Sequence, residues 1–137
     1  FKLNNLQMAQ LITAAQNFTS GWVDLGSPIP AMGIMQIGFF LTVDINDSLN
    51  ARIRAVGLRH DADTVDYPLP IKTVGTSSVT LEPELFEFNV DADQNLVLDV
   101  VTDDIVPYVQ MQIMAGTVGG TAGQIDAADY FVSRARY

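Results

Sequence analysis

Residues 34–46 read IMQIGFFLTVDIN, and every second position of this run is apolar: Met35, Ile37, Phe39, Leu41, Val43 and Ile45. On a helix, residues two apart point to nearly opposite sides, so such a set would wrap around the axis. Only an extended chain gathers them on one face. The interleaved Gln36, Gly38, Thr42, Asp44 and Asn46 mark the other face as partly wetted. This run commits the chain to a half-buried β-strand and to a partner layer that covers it.

The pattern recurs along the chain. Asn46-Asp47-Ser48 offers turn chemistry, and Leu49, Ala51 and Ile53 then alternate with Asn50, Arg52 and Arg54. The two runs predict an antiparallel hairpin. HDADTVD (60–66) reads as a loop, and YPLPIKTV (67–74), with Pro68 and Pro70, as an edge strand or strap, because proline cannot donate to a ladder. In VTLEPELFEFNV (79–90) the alternation slips at Glu82-Pro83-Glu84. That predicts a bulge, with Phe86, Phe88 and Val90 taking the inner face. Leu96, Leu98 and Val100, then Val109, Met111 and Ile113, give two more strands. Tyr130, Phe131 and Val132 favour a last one. LQMAQLITAAQ (6–16) carries good helix formers but no capping box, and reads as an extended arm. About eight short strands with regular turns and no βαβ alternation predict an all-β chain. The expected form is a single β-sandwich or jelly roll of about eight antiparallel strands, with an N-terminal arm over 1–16 and the sandwich over 17–137.

At 137 residues the chain suits one domain whose folding buries roughly two thirds of its surface. Hydrophobic residues make up 48% and charged residues only 17%, against about 25% in an average soluble domain. Sixteen acidic residues against seven basic ones leave a net charge of −9, which disfavours direct binding to nucleic acid, where cations drive counterion release. Cysteine is absent, so disulfides, thiolate metal sites and cysteine nucleophiles fall together. No apolar run approaches the ~20 residues of a membrane helix, and the opening FKLNNLQ lacks a signal-peptide pattern. No membrane partner is expected.

The chemistry-bearing residues are sparse. The single histidine, His60, precedes Asp61, a general-base pairing in principle, but no nucleophile motif accompanies it. Asp91-Ala92-Asp93-Gln94-Asn95 opens like a calcium loop. Leu96 and Thr102 stand where such a loop needs glycine and glutamate. Asp61, Asp63 and Asp66, with Asp103 and Asp104, supply further oxygens of the kind turns use anyway. Glu82, Glu84 and Glu87 invite a glycosidase reading, yet they flank a proline and are expected at the surface. Gly116-Thr117-Val118-Gly119-Gly120 lacks the Lys-Ser/Thr of a phosphate loop. The sequons at Asn17 and Asn46 matter only in a eukaryotic secretory setting. Trp22, Tyr67, Tyr108, Tyr130 and Tyr137 are scattered, which suits packing better than a sugar-stacking platform. No catalytic residue, cofactor or metal is expected.

The opening arm, the turn Gly21-Trp22-Val23-Asp24-Leu25-Gly26, and the ending Tyr108-Val109-Gln110-Met111-Gln112 … Ala115-Gly116-Thr117-Val118-Gly119 … Ala122-Gly123 resemble the small β-sandwich capsid cement, or head-decoration, proteins of tailed bacteriophages. The likeness touches the two ends, about half the chain. It implies a non-enzymatic virion protein that binds and stabilises the assembled shell from outside, often as a trimer, with the major capsid protein and copies of itself as partners. The residues point the same way. Phe40, Val97 and Val101 fall on the outer phase of their strands, and Leu3, Leu6, Met8, Leu11 and Ile12 make the arm too apolar for a free tail. These eight are the expected interface. The alternative is a carbohydrate-binding β-sandwich module of a phage fibre or adhesin; a small jelly-roll lyase or hydrolase built around His60 is disfavoured.

Overall fold

The computed structural model describes residues 8–64, 67–73, 86–102 and 105–133. Among them there is no helix, and the chain forms two antiparallel sheets around one hydrophobic core. The expected β-sandwich is the fold.

Among the described residues eleven strands follow in order: β1 (Ala9–Gln10), β2 (Gln16–Asn17), β3 (Val23–Pro30), β4 (Gln36–Asp44), β5 (Leu49–Leu58), β6 (Tyr67–Pro68), β7 (Ile71–Thr73), β8 (Phe88–Val90), β9 (Gln94–Val101), β10 (Tyr108–Thr117) and β11 (Gln124–Ser133). Sheet A has the order β1-β11-β4-β9-β7, with β2 also on β11; sheet B has the order β3-β10-β5-β6, with β8 also on β5. From β3 onward nearly every connection crosses from one sheet to the other. β3, β10, β5 and β8 face β4, β9 and β7, which is jelly-roll connectivity, with β11 added beyond β4.

This connectivity corrects the hairpin expected for 34–54. β4 pairs with β9 and β11, while β5 pairs with β10, β6 and β8. The turn at 45–48 therefore carries the chain across the core. It is held from outside by the glycine-rich connection. Ser48 Oγ donates to Val118 O and accepts from Gly123 N, both at 2.8 Å, and Asp47 Oδ2 accepts from Thr121 N at 2.9 Å. Gly119 has φ +84°, and a Cβ there would lie 2.5 Å from Asp47 O. Glycine is required by both backbone and space. The segment, unlike a phosphate loop in sequence, is a docked connection.

Alternation correctly marks the core of the long strands. Ile37, Phe39, Leu41 and Val43 of β4, Leu96, Leu98 and Val100 of β9, and Val109, Met111 and Ile113 of β10 are all buried. Two expectations fail. Phe86 is exposed and lies before β8, while Phe88, opposite Ile53, and Val90, opposite Ala51, take the inner face, Phe88 half-buried against the core. Met35 is half-buried rather than part of the core. The bulge expected at Glu82-Pro83-Glu84 lies outside the described residues.

The boundary drawn at 16/17 also moves. β1 pairs with β11 through Ala9↔Tyr130 and Gln10↔Asp129, and β2 pairs through Gln16↔Ile125. Leu11 N donates to Ala128 O at 2.8 Å, and Leu11 and Ile12 pack half-buried against the core. Leu11 also sits on Gly26, whose Cβ would lie 2.7 Å from Leu11 Cγ. Residues 8–17 thus close the side of the sandwich between the β11 edge of sheet A and the β3 edge of sheet B. The cause is the apolar pair Leu11-Ile12, which the chain's own core covers.

Candidate functional site

The solvent side of sheet A gathers most of the expected interface. Leu96, Leu98 and Val100 point inward, so Val97, Asp99 and Val101 point out; likewise Gln36, Gly38, Phe40 and Thr42 of β4. Register brings Phe40 opposite Val97 on β9 and Asp129 on β11, Gly38 opposite Asp99 and Phe131, and Gln36 opposite Val101. Phe40 and Phe131 stack at 5.8 Å between centroids with planes 35° apart. The Phe131 ring lies across Gly38, where a Cβ would come within 2.5 Å of it. Phe40 remains 38% exposed, and Val97, Val101 and Phe131 are half-buried. Met8, 48% exposed, precedes β1 at the same edge.

Of the eight expected interface residues, Phe40, Val97 and Val101 thus share one outward face, and Met8 lies at its edge. Leu11 and Ile12 are withdrawn into the side wall. Leu3 and Leu6 lie outside the described residues. Phe131 belongs to the patch and was not singled out, because Tyr130-Phe131-Val132 shows no alternation. Gly38 on the neighbouring strand was the available signal.

Charges sit within this face: Asp129 stands opposite Phe40 on β11, and Asp99 opposite Gly38 on β9. Asp99 is half-buried beside Gly38, and its Oδ1 has no hydrogen-bond partner among the described residues. Desolvation pushes its carboxyl above the ordinary range, and Lys72, opposite on β7, works against that rise.

The solvent side of sheet B is polar instead. Asp24, Gln112 and Arg54 form one row across β3, β10 and β5. Gln112 Nε2 donates to Asp24 Oδ1 at 3.0 Å, Arg54 Nε donates to Gln112 Oε1 at 2.8 Å, and the Arg54 guanidinium lies 4.2 Å over the Trp22 ring. Trp22 is thereby an anchor for arginine. Next to this row β3 bulges: three residues, Gly26, Ser27 and Pro28, stand opposite Gln110 alone. The loop after β5 folds toward the bulge. Asp63, its side chain buried, accepts from Arg59 N, Nε and an Nη at 2.8–3.0 Å, and this pairing raises the Arg59 pKa. Bulge, row and loop enclose a polar pocket of about 280 Å³. A third surface, an apolar pocket of about 380 Å³, lies among Gly57, Leu58, Tyr67, Leu69, Ile105 and Val106.

The remaining candidates are dispersed. His60 is exposed in its loop. Asp93 Oδ1 accepts from Ile45 N at 2.8 Å, so the calcium-like turn caps a strand end. Glu87 forms an exposed ion pair with Arg52 at 3.7 Å. Among the described residues no three His, Cys, Asp or Glu side chains converge as a metal site. Asp66, Glu82, Glu84, Asp103, Asp104 and Tyr137 lie outside the described residues. No protein-family model, curated protein or solved structure matches the chain.

Proposed function

We propose that the chain is a non-enzymatic structural protein of a virus particle, a capsid cement or decoration protein that binds the outside of an assembled shell. The observation that supports this reading best is the outer face of sheet A. Phe40 and Phe131 stack there on the solvent side of a complete sheet, with Val97 and Val101 beside them. In a chain with 17% charged residues, an apolar cluster on a face the fold does not need is the mark of a docking surface. The resemblance of the two chain ends to phage decoration proteins supplies the partner: the major capsid protein, with further copies of this chain.

The physics of such docking favours an oligomer. One patch of this size falls short of the ~800 Å² per partner of a stable interface. Three copies held together would engage the shell with an effective concentration that multiplies the weak single affinity. The net charge of −9 directs the protein to the shell surface and not to the genome within.

The test is sedimentation of the purified protein alone and with assembled shells that lack it. The reading expects an oligomer, a trimer on the resemblance, that pellets saturably with shells. A monomer that stays in the supernatant at every shell concentration refutes it.

A further inference from the structure

We infer that, on the shell-binding reading of this face, docking through the outer side of sheet A takes up a proton at Asp99, so that the shell is held more tightly as pH falls.

Asp99, Gly38 and Phe131 form one row across β9, β4 and β11. A Cβ at residue 38 would lie 2.5 Å from the Phe131 ring, so only glycine lets that ring lie across β4 and stack on Phe40. Glycine inside a strand weakens it and marks a close approach; here an aromatic ring makes the approach. On its own strand Asp99 stands between the outward Val97 and Val101, both half-buried. The carboxylate is thus set in an apolar frame, at the centre of the surface that a partner would cover. Its Oδ1 is closed to solvent and has no hydrogen-bond partner among the described residues. Oδ2 is not enclosed in this way, and a proton reaches the group there without any ligand having to enter.

The charged neighbours are few. By register the ionisable residue facing Asp99 is Lys72, exposed on β7. Its charge favours the carboxylate, but desolvation is the larger effect and holds the Asp99 carboxyl above the ordinary range. On β4 the facing residue is Gly38, with Gln36 and Phe40 to either side, and none of the three ionises. On β11, Asp129 stands opposite Phe40 and Gln10. It is half-buried, and its oxygens keep solvent or a hydrogen bond. A shell surface laid on Phe40 and Phe131 removes the remaining water from Asp99. Burying an unpaired carboxylate disfavours its charged form, so the group holds its proton more tightly in the docked protein than in the free one. Linkage then fixes the sign: affinity rises as pH falls through the interval between the two pKa values, and is flat above both.

The experiment is a set of sedimentation isotherms with assembled shells, at pH steps between about 4 and about 8, where a raised carboxyl titrates. The proteins are the wild type, Asp99→Asn and Asp129→Asn. Asparagine keeps the shape of the side chain and removes its charge, and the ratio of variant to wild-type affinity cancels the titration of the shell itself. Asp99→Asn should bind about tenfold more tightly than the wild type at the top of the range, which corresponds to about one pKa unit between docked and free protein. That ratio should narrow toward one as pH falls. Asp129→Asn should keep the wild-type pH dependence. If Asp99→Asn and the wild type bind equally at every pH, or if Asp129→Asn is the variant that abolishes the pH dependence, the proton coupling at Asp99 is overturned and shell binding stands. If none of the three proteins pellets with shells at any pH, the shell-binding reading falls and the coupling falls with it.

Discussion

The double substitution Leu11→Ala with Ile12→Ala tests whether residues 8–17 belong to the sandwich. Both side chains are half-buried against the core, and Leu11 covers the bulge glycine Gly26. Truncating a fully buried Leu or Ile to Ala costs about 2–5 kcal/mol, so half-burial scales each to about 1–2.5 kcal/mol. The two are adjacent and share neighbours, so their sum is an upper bound. A loss of about 2–4 kcal/mol results. At this chain length 1 kcal/mol moves the melting temperature by roughly 3–5 °C, so a drop of roughly 6–20 °C is expected by calorimetry. Deleting residues 1–13 should act in the same direction, since it also removes the Leu11 N to Ala128 O bond. A free arm predicts the opposite: an unchanged melting temperature for both variants. A shift under 2 °C would refute the side-wall role of this segment.

Three further outcomes follow from single sites. Phe39, fully buried between the sheets, should cost about 3–5 kcal/mol as Phe39→Ala in urea unfolding. Gly119→Ala meets Asp47 O at 2.5 Å with φ +84° and should lose about 2–4 kcal/mol from strain and overpacking; Gly21→Ala, with nothing within 4 Å of its Cβ, should change stability by under ~1 kcal/mol in the same assay. Asp99 has its folded pKa above its unfolded one. The folded state then holds the proton more tightly, stability falls as pH rises through that window, and the penalty persists above it. Asp99→Asn should therefore raise the melting temperature at pH 7, and the gain should fade as pH falls below about 4, near the unfolded carboxyl pKa.

Period-2 alternation made the strands legible because burial on one face is a local property of each run. Strand partners were not legible. Leu41 meets Leu96 and Ala128, and nothing within 34–46 encodes those distant neighbours, so the nearest run, 49–54, looked like the mate. Phe86 misled for a related reason: it shares the phase of Phe88 and Val90, which β5 turns inward, but it lies before β8, and nothing local to the run says where the pairing begins. The outward phase of Phe40, Val97 and Val101 was legible, since their alternates are unmistakably core. The pocket on sheet B was not. Gln110 and Gln112 alternate with core residues as any solvated pair would. Gln110 is buried because β3 bulges and the Arg59–Asp63 clamp folds the loop toward it, which are effects of tertiary structure.

Hydroxyl-radical footprinting of the shell-bound and free protein tests the central claim most directly, because it reads side-chain exposure face by face. The proposed docking surface predicts that Phe40 and Phe131, with Met8 at the edge of the same sheet, lose reactivity several-fold on shells. Tyr67, 51% exposed on the other sheet beside the apolar pocket, should keep its reactivity. Protection of Tyr67 with Phe40 and Phe131 unchanged would place the contact on the wrong face and contradict the account.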